Sequence, residues 1–231
     1  MRMMIAWGKH MRATLAITLT IAMAIAIACL GIFAAGCGGA GTAEQADDAG
    51  LHSVVITHPV QPPLPPATSC EVAVGQAPAG GAAHVALCSP LGFDTRPPSH
   101  GDHYPIWADF KSYDAPVPWG HLVHDLEHGA VVIAYRCDAA CPDLVAALTG
   151  LIADRPADPL CTGTRARNRM ILVPDPTLDV PLAAVAWGHV YRSSCLDRPS
   201  LGAFIDAHYG HAPEDLCAGG ADGSQGAGWC P

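Results

Sequence analysis

Apolar positions along this chain gather into one long run near the start and, later, into short runs separated by proline, glycine and polar residues. The later runs predict alternating strands and helices. AVVIAY, apolar and largely β-branched or aromatic, predicts a buried strand over 130–136, preceded by a short helix over 121–128 that Gly129 stops. Further along, the pattern predicts a helix over 142–153, a strand near 169–173, a strand over 182–191 and a helix over 200–209. A strand is also expected from His84 to Cys88, followed by a long loop through Pro105. Turn formers Pro174-Asp175-Pro176 suggest that the two later strands pair antiparallel. In LAAVAWGHVY, strand alternation would put Val185, Trp187, His189 and Tyr191 on one face. With few βαβ repeats, the order implies an α+β fold: one domain, a small mainly antiparallel sheet packed with helices.

The long run, Ala13 to Ala35, carries no charge and follows Arg2, Lys9 and Arg12, so residues 1–36 read as an export segment. It ends in Ala34-Ala35-Gly36-Cys37, which resembles a lipoprotein cleavage site with Cys37 as the lipidated residue. An uncleaved membrane anchor is the alternative. Both place the remainder outside the cytoplasm, in the cell envelope, held to a membrane. Residues 37–69, with PVQPPLPP at 59–66, read as a flexible tether in which His52 and His58 are solvated. Residues 70–217 are long enough for one core, and 218–231 form a Gly-rich tail that stays loose unless Cys230 ties it back.

Cysteine usage agrees with export. Apart from Cys29 and Cys37, eight of the ten cysteines remain: Cys70, Cys88, Cys137, Cys141, Cys161, Cys195, Cys217 and Cys230. An even set in an exported chain reads as disulfides, with pairing left open among about 105 connectivities. Cys137 and Cys141 lack the C-x-x-C spacing of a redox motif. Beyond Cys37 stand 21 acidic and 9 basic residues, a formal charge of −12, which excludes nucleic acid as a partner. No protein partner is specified. Only Met170 among six methionines lies in the domain, which disfavours a thioether Cu(I) site and leaves imidazole sites for Zn(II) or Cu(II) open.

Candidate chemistry concentrates between His100 and His128. His121, His124, Glu127 and His128 fall within eight residues, and His100, Asp102 and His103 lie just upstream. Residues four apart share a helix face, so His124 and His128 can point at one ion. His121 and Glu127 lie on flanking stripes. His124 to His128 also matches H-x-x-E-H, the inverted zinc-peptidase pattern, but Gly129 and a strand follow where that class needs a long helix. His189 can reach the same site from its strand or simply be a hydrogen-bonded core histidine. His84, His208 and His211 are expected to cap carbonyls or face water.

PPSHGDHYPIW, YDAPVP at 113–118, LVHDLEHGAVVIAY, AWG and FIDAHYGHAPE together resemble a bacterial family of exported or membrane-anchored domains of unknown function, family 3105. Its pattern, Pro-Pro-x-x-Gly-x-His and then His-x-x-Glu-His-Gly, falls on Pro97, Pro98, Gly101, His103, His124, Glu127, His128 and Gly129. The resemblance implies that loop residue His103 joins His124 and His128, with Glu127 as ligand, ring-holding partner or base; His100 and His121 are further candidates from the local cluster, at positions where the family pattern does not require histidine. Three functions remain open. The first is a membrane-tethered metal-binding domain for capture, delivery or sensing of Zn or Cu. A second is a metal-dependent hydrolase using Glu127 on a bound water of pKa about 7. The third is a structural or interaction lipoprotein with a metal-free His/Glu hydrogen-bond network.

Overall fold

The computed structural model describes residues 49–57, 69–78, 80–223 and 229–230. The expected export segment, the expected lipidation residue Cys37 and the proline run at 59–66 lie outside the described residues. Among the described residues, six strands and three α-helices follow in order: β1 His52–Thr57, β2 Val72–Gln76, α1 Trp119–Glu127, β3 Val131–Tyr135, α2 Pro142–Ala153, β4 Met170–Pro174, β5 Leu182–Ala186, β6 His189–Ser193 and α3 Arg198–His208, with one short 3-10 turn at Pro159–Cys161. Among the described residues no helix is long and apolar enough to cross a membrane.

The fold is α+β, with one six-stranded mixed sheet in the order β1-β2-β6-β5-β3-β4. Four neighbouring pairs are antiparallel, and β3/β4 is parallel. Strand alternation splits the core into two layers. Val132, Ala134, Ile171, Val173, Ala183 and Val185 face α1 through Leu122 and Leu126. Val131, Ile133, Leu172, Leu182, Ala184 and Tyr191 face α2 and α3 through Leu148, Leu201 and Ile205. β3 to β5 are apolar throughout because both faces are covered.

Several expected elements are corrected. β4 and β5 do not pair with each other: β4 lies parallel on one side of β3 and β5 antiparallel on the other. Pro174-Asp175-Pro176 therefore begins a crossing over β3 rather than a hairpin. The strand expected over 182–191 is two strands, folded at Trp187-Gly188, where Gly188 has φ +71°. That fold places Trp187 in the turn and breaks the shared face expected for Val185, Trp187, His189 and Tyr191. No strand forms from His84 to Cys88, where a single bridge joins His84 to His103. β1 takes residues expected in the tether into the sheet edge, with Leu51 fully buried beside it.

Four disulfides use all eight cysteines: Cys70–Cys195, Cys88–Cys230, Cys137–Cys141 and Cys161–Cys217. The tail is tied back by the second of these, and Ala221 bridges Ala108. Beneath the C-terminal end of α1 lies buried Arg169. Its guanidinium donates to the His128 carbonyl at 2.7 Å and pairs with Asp158 at 2.8 Å and Asp215 at 2.6 Å. Gly129, at φ +84°, has no room for a Cβ, which would meet that guanidinium at 2.7 Å and Gly210 Cα at 3.0 Å. Replacing Arg169 by Ala leaves the Asp158 carboxylate with only the Tyr209 hydroxyl and the Leu160 N–H and frees the helix end, so we expect a loss of about 3 kcal/mol in urea unfolding, the low end for breaking a buried pair. A loss near zero would show that this ion pair does not hold the helix.

Candidate metal centre

Eight of the nine residues of α1 are buried, among them His121, His124, Asp125 and Glu127. Burial of so polar a helix requires partners, and the extended segment from Gly101 to Ala108 supplies them. The Tyr104 carbonyl meets His124 Nδ1 at 2.6 Å, and the Ile106 carbonyl meets His121 Nδ1 at 2.6 Å. The Ala108 N–H donates to Asp125 Oδ2 at 3.1 Å. His103, fully buried, is held through Nδ1 by the Gly101 carbonyl at 2.8 Å, within a turn made by Gly101 at φ +117°. A carbonyl only accepts, so in His103 and His124 the Nδ1 carries a proton; Nε2 is left for other partners, and that of His103 is hydrogen-bonded to Glu127 Oε2.

Two imidazoles meet at Glu127. Its Oε2 lies 3.0 Å from His103 Nε2 and 3.5 Å from His84 Nε2. One donor atom each from His84, His103, His124 and Glu127 lies within 4.8 Å of all the others, and this group could hold a metal ion. Around a zinc ion with bonds near 2.0–2.1 Å, tetrahedral donors stand roughly 3.4 Å apart, so a small contraction closes the set. His103 and His124 are inclined at 59° and His84 and His103 at 85°, whereas His84 lies almost parallel to His124 at 27°. Parallel rings do not aim their in-plane lone pairs at one point. His84, with its side chain half exposed, is therefore the candidate ligand that would have to turn for the four donors to face one ion.

His84 is the candidate ligand that sequence reasoning passed over. It is placed by main-chain pairing, with the Val85 N–H donating to the His103 carbonyl at 2.9 Å and the His103 N–H to the Ala83 carbonyl at 3.0 Å. No periodicity in the sequence marks such a contact. Trp187, at the β5/β6 turn, stands with its ring 6.3 Å from that of His103. The turn is clamped there, as Gly188 N–H donates to the Ser99 carbonyl and Ala77 N–H to the Gly188 carbonyl.

The other expected ligands point elsewhere. His128 lies 4.6 Å from the His124 ring, but its Nε2 faces Glu214 at 3.3 Å and its buried Nδ1 has no protein partner. His121 packs on Trp229 at 4.6 Å. His100 bonds the Ser99 hydroxyl and sits beside Trp187. His189 stacks on His208 on the opposite face of the sheet, at 4.0 Å.

A family model described as a protein of unknown function, DUF3105, matches residues 84–219. The chain belongs to the DUF3105 family. No curated protein and no solved structure matches it. The matched range of this DUF3105 chain contains all four members of the ligand group, from His84 onward.

Burial holds His124 and His128 down to a pKa of about 4, and the neighbouring imidazoles push the same way. His124 is thus neutral at pH 7, the state a metal requires. In the unfolded chain both titrate near 6.5 and take up protons first as the pH falls. Their contribution to stability is complete above about pH 6.5 and is lost toward pH 4. The metal-free protein should accordingly melt at steadily lower temperature across that window, less steeply for His128→Asn; a flat profile, equal in the two, would contradict the burial account.

Proposed function

We propose that this protein is an exported, membrane-tethered domain that binds one Zn(II) or Cu(II) ion for capture, delivery or sensing in the cell envelope. The observation that carries the reading is the convergence of His84, His103, His124 and Glu127 donor atoms within 4.8 Å, with two of the rings oriented by backbone carbonyls. Imidazole and carboxylate together suit borderline divalent ions, and the carbonyl-held rings match the outer-shell arrangement that fixes tautomer and direction in metal sites. With its carboxylate inside the group, Glu127 acts here as a ligand rather than as a base beyond it.

Purified wild-type protein should carry or take up one equivalent of metal. His103→Ala and His124→Ala should each lose more affinity than the ~10–100-fold that removal of an outer-shell partner costs, whereas His189→Ala should bind normally. Equal metal content in all four would end the proposal.

Tethering is supported by the basic start, the uncharged run and Ala34-Ala35-Gly36-Cys37. A Cys37→Ser variant is expected to move from the membrane to the soluble fraction. Retention in the pellet would assign anchoring to the apolar run itself.

A further inference from the structure

We infer that the Cys88–Cys230 disulfide is a redox-sensitive clamp that holds His84 in the ligand group, so that the rate of metal release depends on its oxidation state. The inference rests on the metal-binding reading above and adds a control to it. His84 is the outermost ligand and the one that must turn to close the set. Its segment is thinly supported. Residues 80–84 and 86–88 are exposed, and the main-chain ties near His84 are the two hydrogen bonds to His103. Four residues beyond His84, Cys88 is bonded to Cys230, whose neighbour Trp229 is packed on His121 of α1. Through that bond the loop carrying His84 is fastened to the helix carrying His124 and Glu127.

The four disulfides are not equally open to attack. Cys70, Cys195, Cys161 and Cys217 are buried, Cys137 and Cys141 are half-buried, and Cys88 is exposed at its end of the bond. Exchange requires a thiolate to approach one sulfur in line with the bond. The thiolate of an external dithiol can attack Cys88 Sγ, forming a mixed disulfide while Cys230 leaves as thiolate and takes up a proton. The second thiol of the reductant then displaces Cys88, which is protonated in turn. Two electrons and two protons pass to the protein, and the reductant ends as its disulfide. The loop then keeps its bridge to His103 and the Tyr104 hydroxyl bond to the Ser89 carbonyl, so His84 is loosened rather than detached. Preorganisation falls, and the ion escapes more readily.

The test loads the full protein with Zn(II) and follows transfer to an excess of a chromophoric chelator. Cys88→Ser/Cys230→Ser should still bind one ion but release it about tenfold faster, the lower end of what loss of an outer-shell support costs. Cys137→Ser/Cys141→Ser should release it at the wild-type rate. Mild dithiol treatment of the wild type should speed release in step with alkylation of Cys88 and Cys230, and reoxidation should restore the slow rate. This last arm decides the matter if the double variant does not fold. Release within about twofold of wild type, with both thiols shown to be free, overturns the inference and leaves the metal site standing. A wild type that holds neither Zn(II) nor Cu(II) removes both.

Discussion

Everything in this domain turns on burying a polar helix. A buried imidazole or carboxylate without a partner costs on the order of 1–3 kcal/mol per group, and α1 buries His121, His124, Asp125 and Glu127 in nine residues. The backbone of Gly101 to Ala108 offsets much of that cost with one hydrogen bond to each of His103, His124, His121 and Asp125. The same bonds choose the tautomers. Solving the burial problem through Nδ1 leaves Nε2 of His103 and His124 facing inward, so the scaffold and the candidate ligand set have one physical origin.

The sheet makes that arrangement rigid. Leu122 and Leu126 press α1 against β3 and its neighbours, while Arg169 holds the carbonyl at the helix exit. The strand after α1 is central, covered on both faces and bonded on both edges, so the helix end has little freedom. Flexibility is left on the solvent side, where His84 stands on a loop with few ties. A site with two fixed imidazoles and one adjustable one can admit an ion and then close on it.

Polar atoms left over inside the helix layer mark where the structure is less economical. His121 Nε2, Asp125 Oδ1 and His128 Nδ1 are buried without protein partners. Asp125 is fully buried, and its carboxyl is held well above its ordinary range, first by burial and then by Asp109 nearby. A neutral carboxyl at that position costs less than a charged one, which lets the helix keep its packing next to Ala108.

How much of this was legible follows from the range of each interaction. Local pattern determined that a short polar helix stops at Gly129 and runs into a buried strand, that the class is α+β, that the cysteines pair, and that His124 and Glu127 are candidate ligands, while the family resemblance added His103. Those features depend on residues a few positions apart, or on a count. Tertiary structure decided the rest. It turned LAAVAWGHVY into a hairpin, put β3 between β4 and β5, drew HSVVIT into the sheet, swung His121, His128 and His189 away and brought in His84. Each of these depends on which distant backbone supplies a hydrogen bond. Pairings such as His84 with His103 arise from chain crossing in space, and leave no period in the sequence by which to read them.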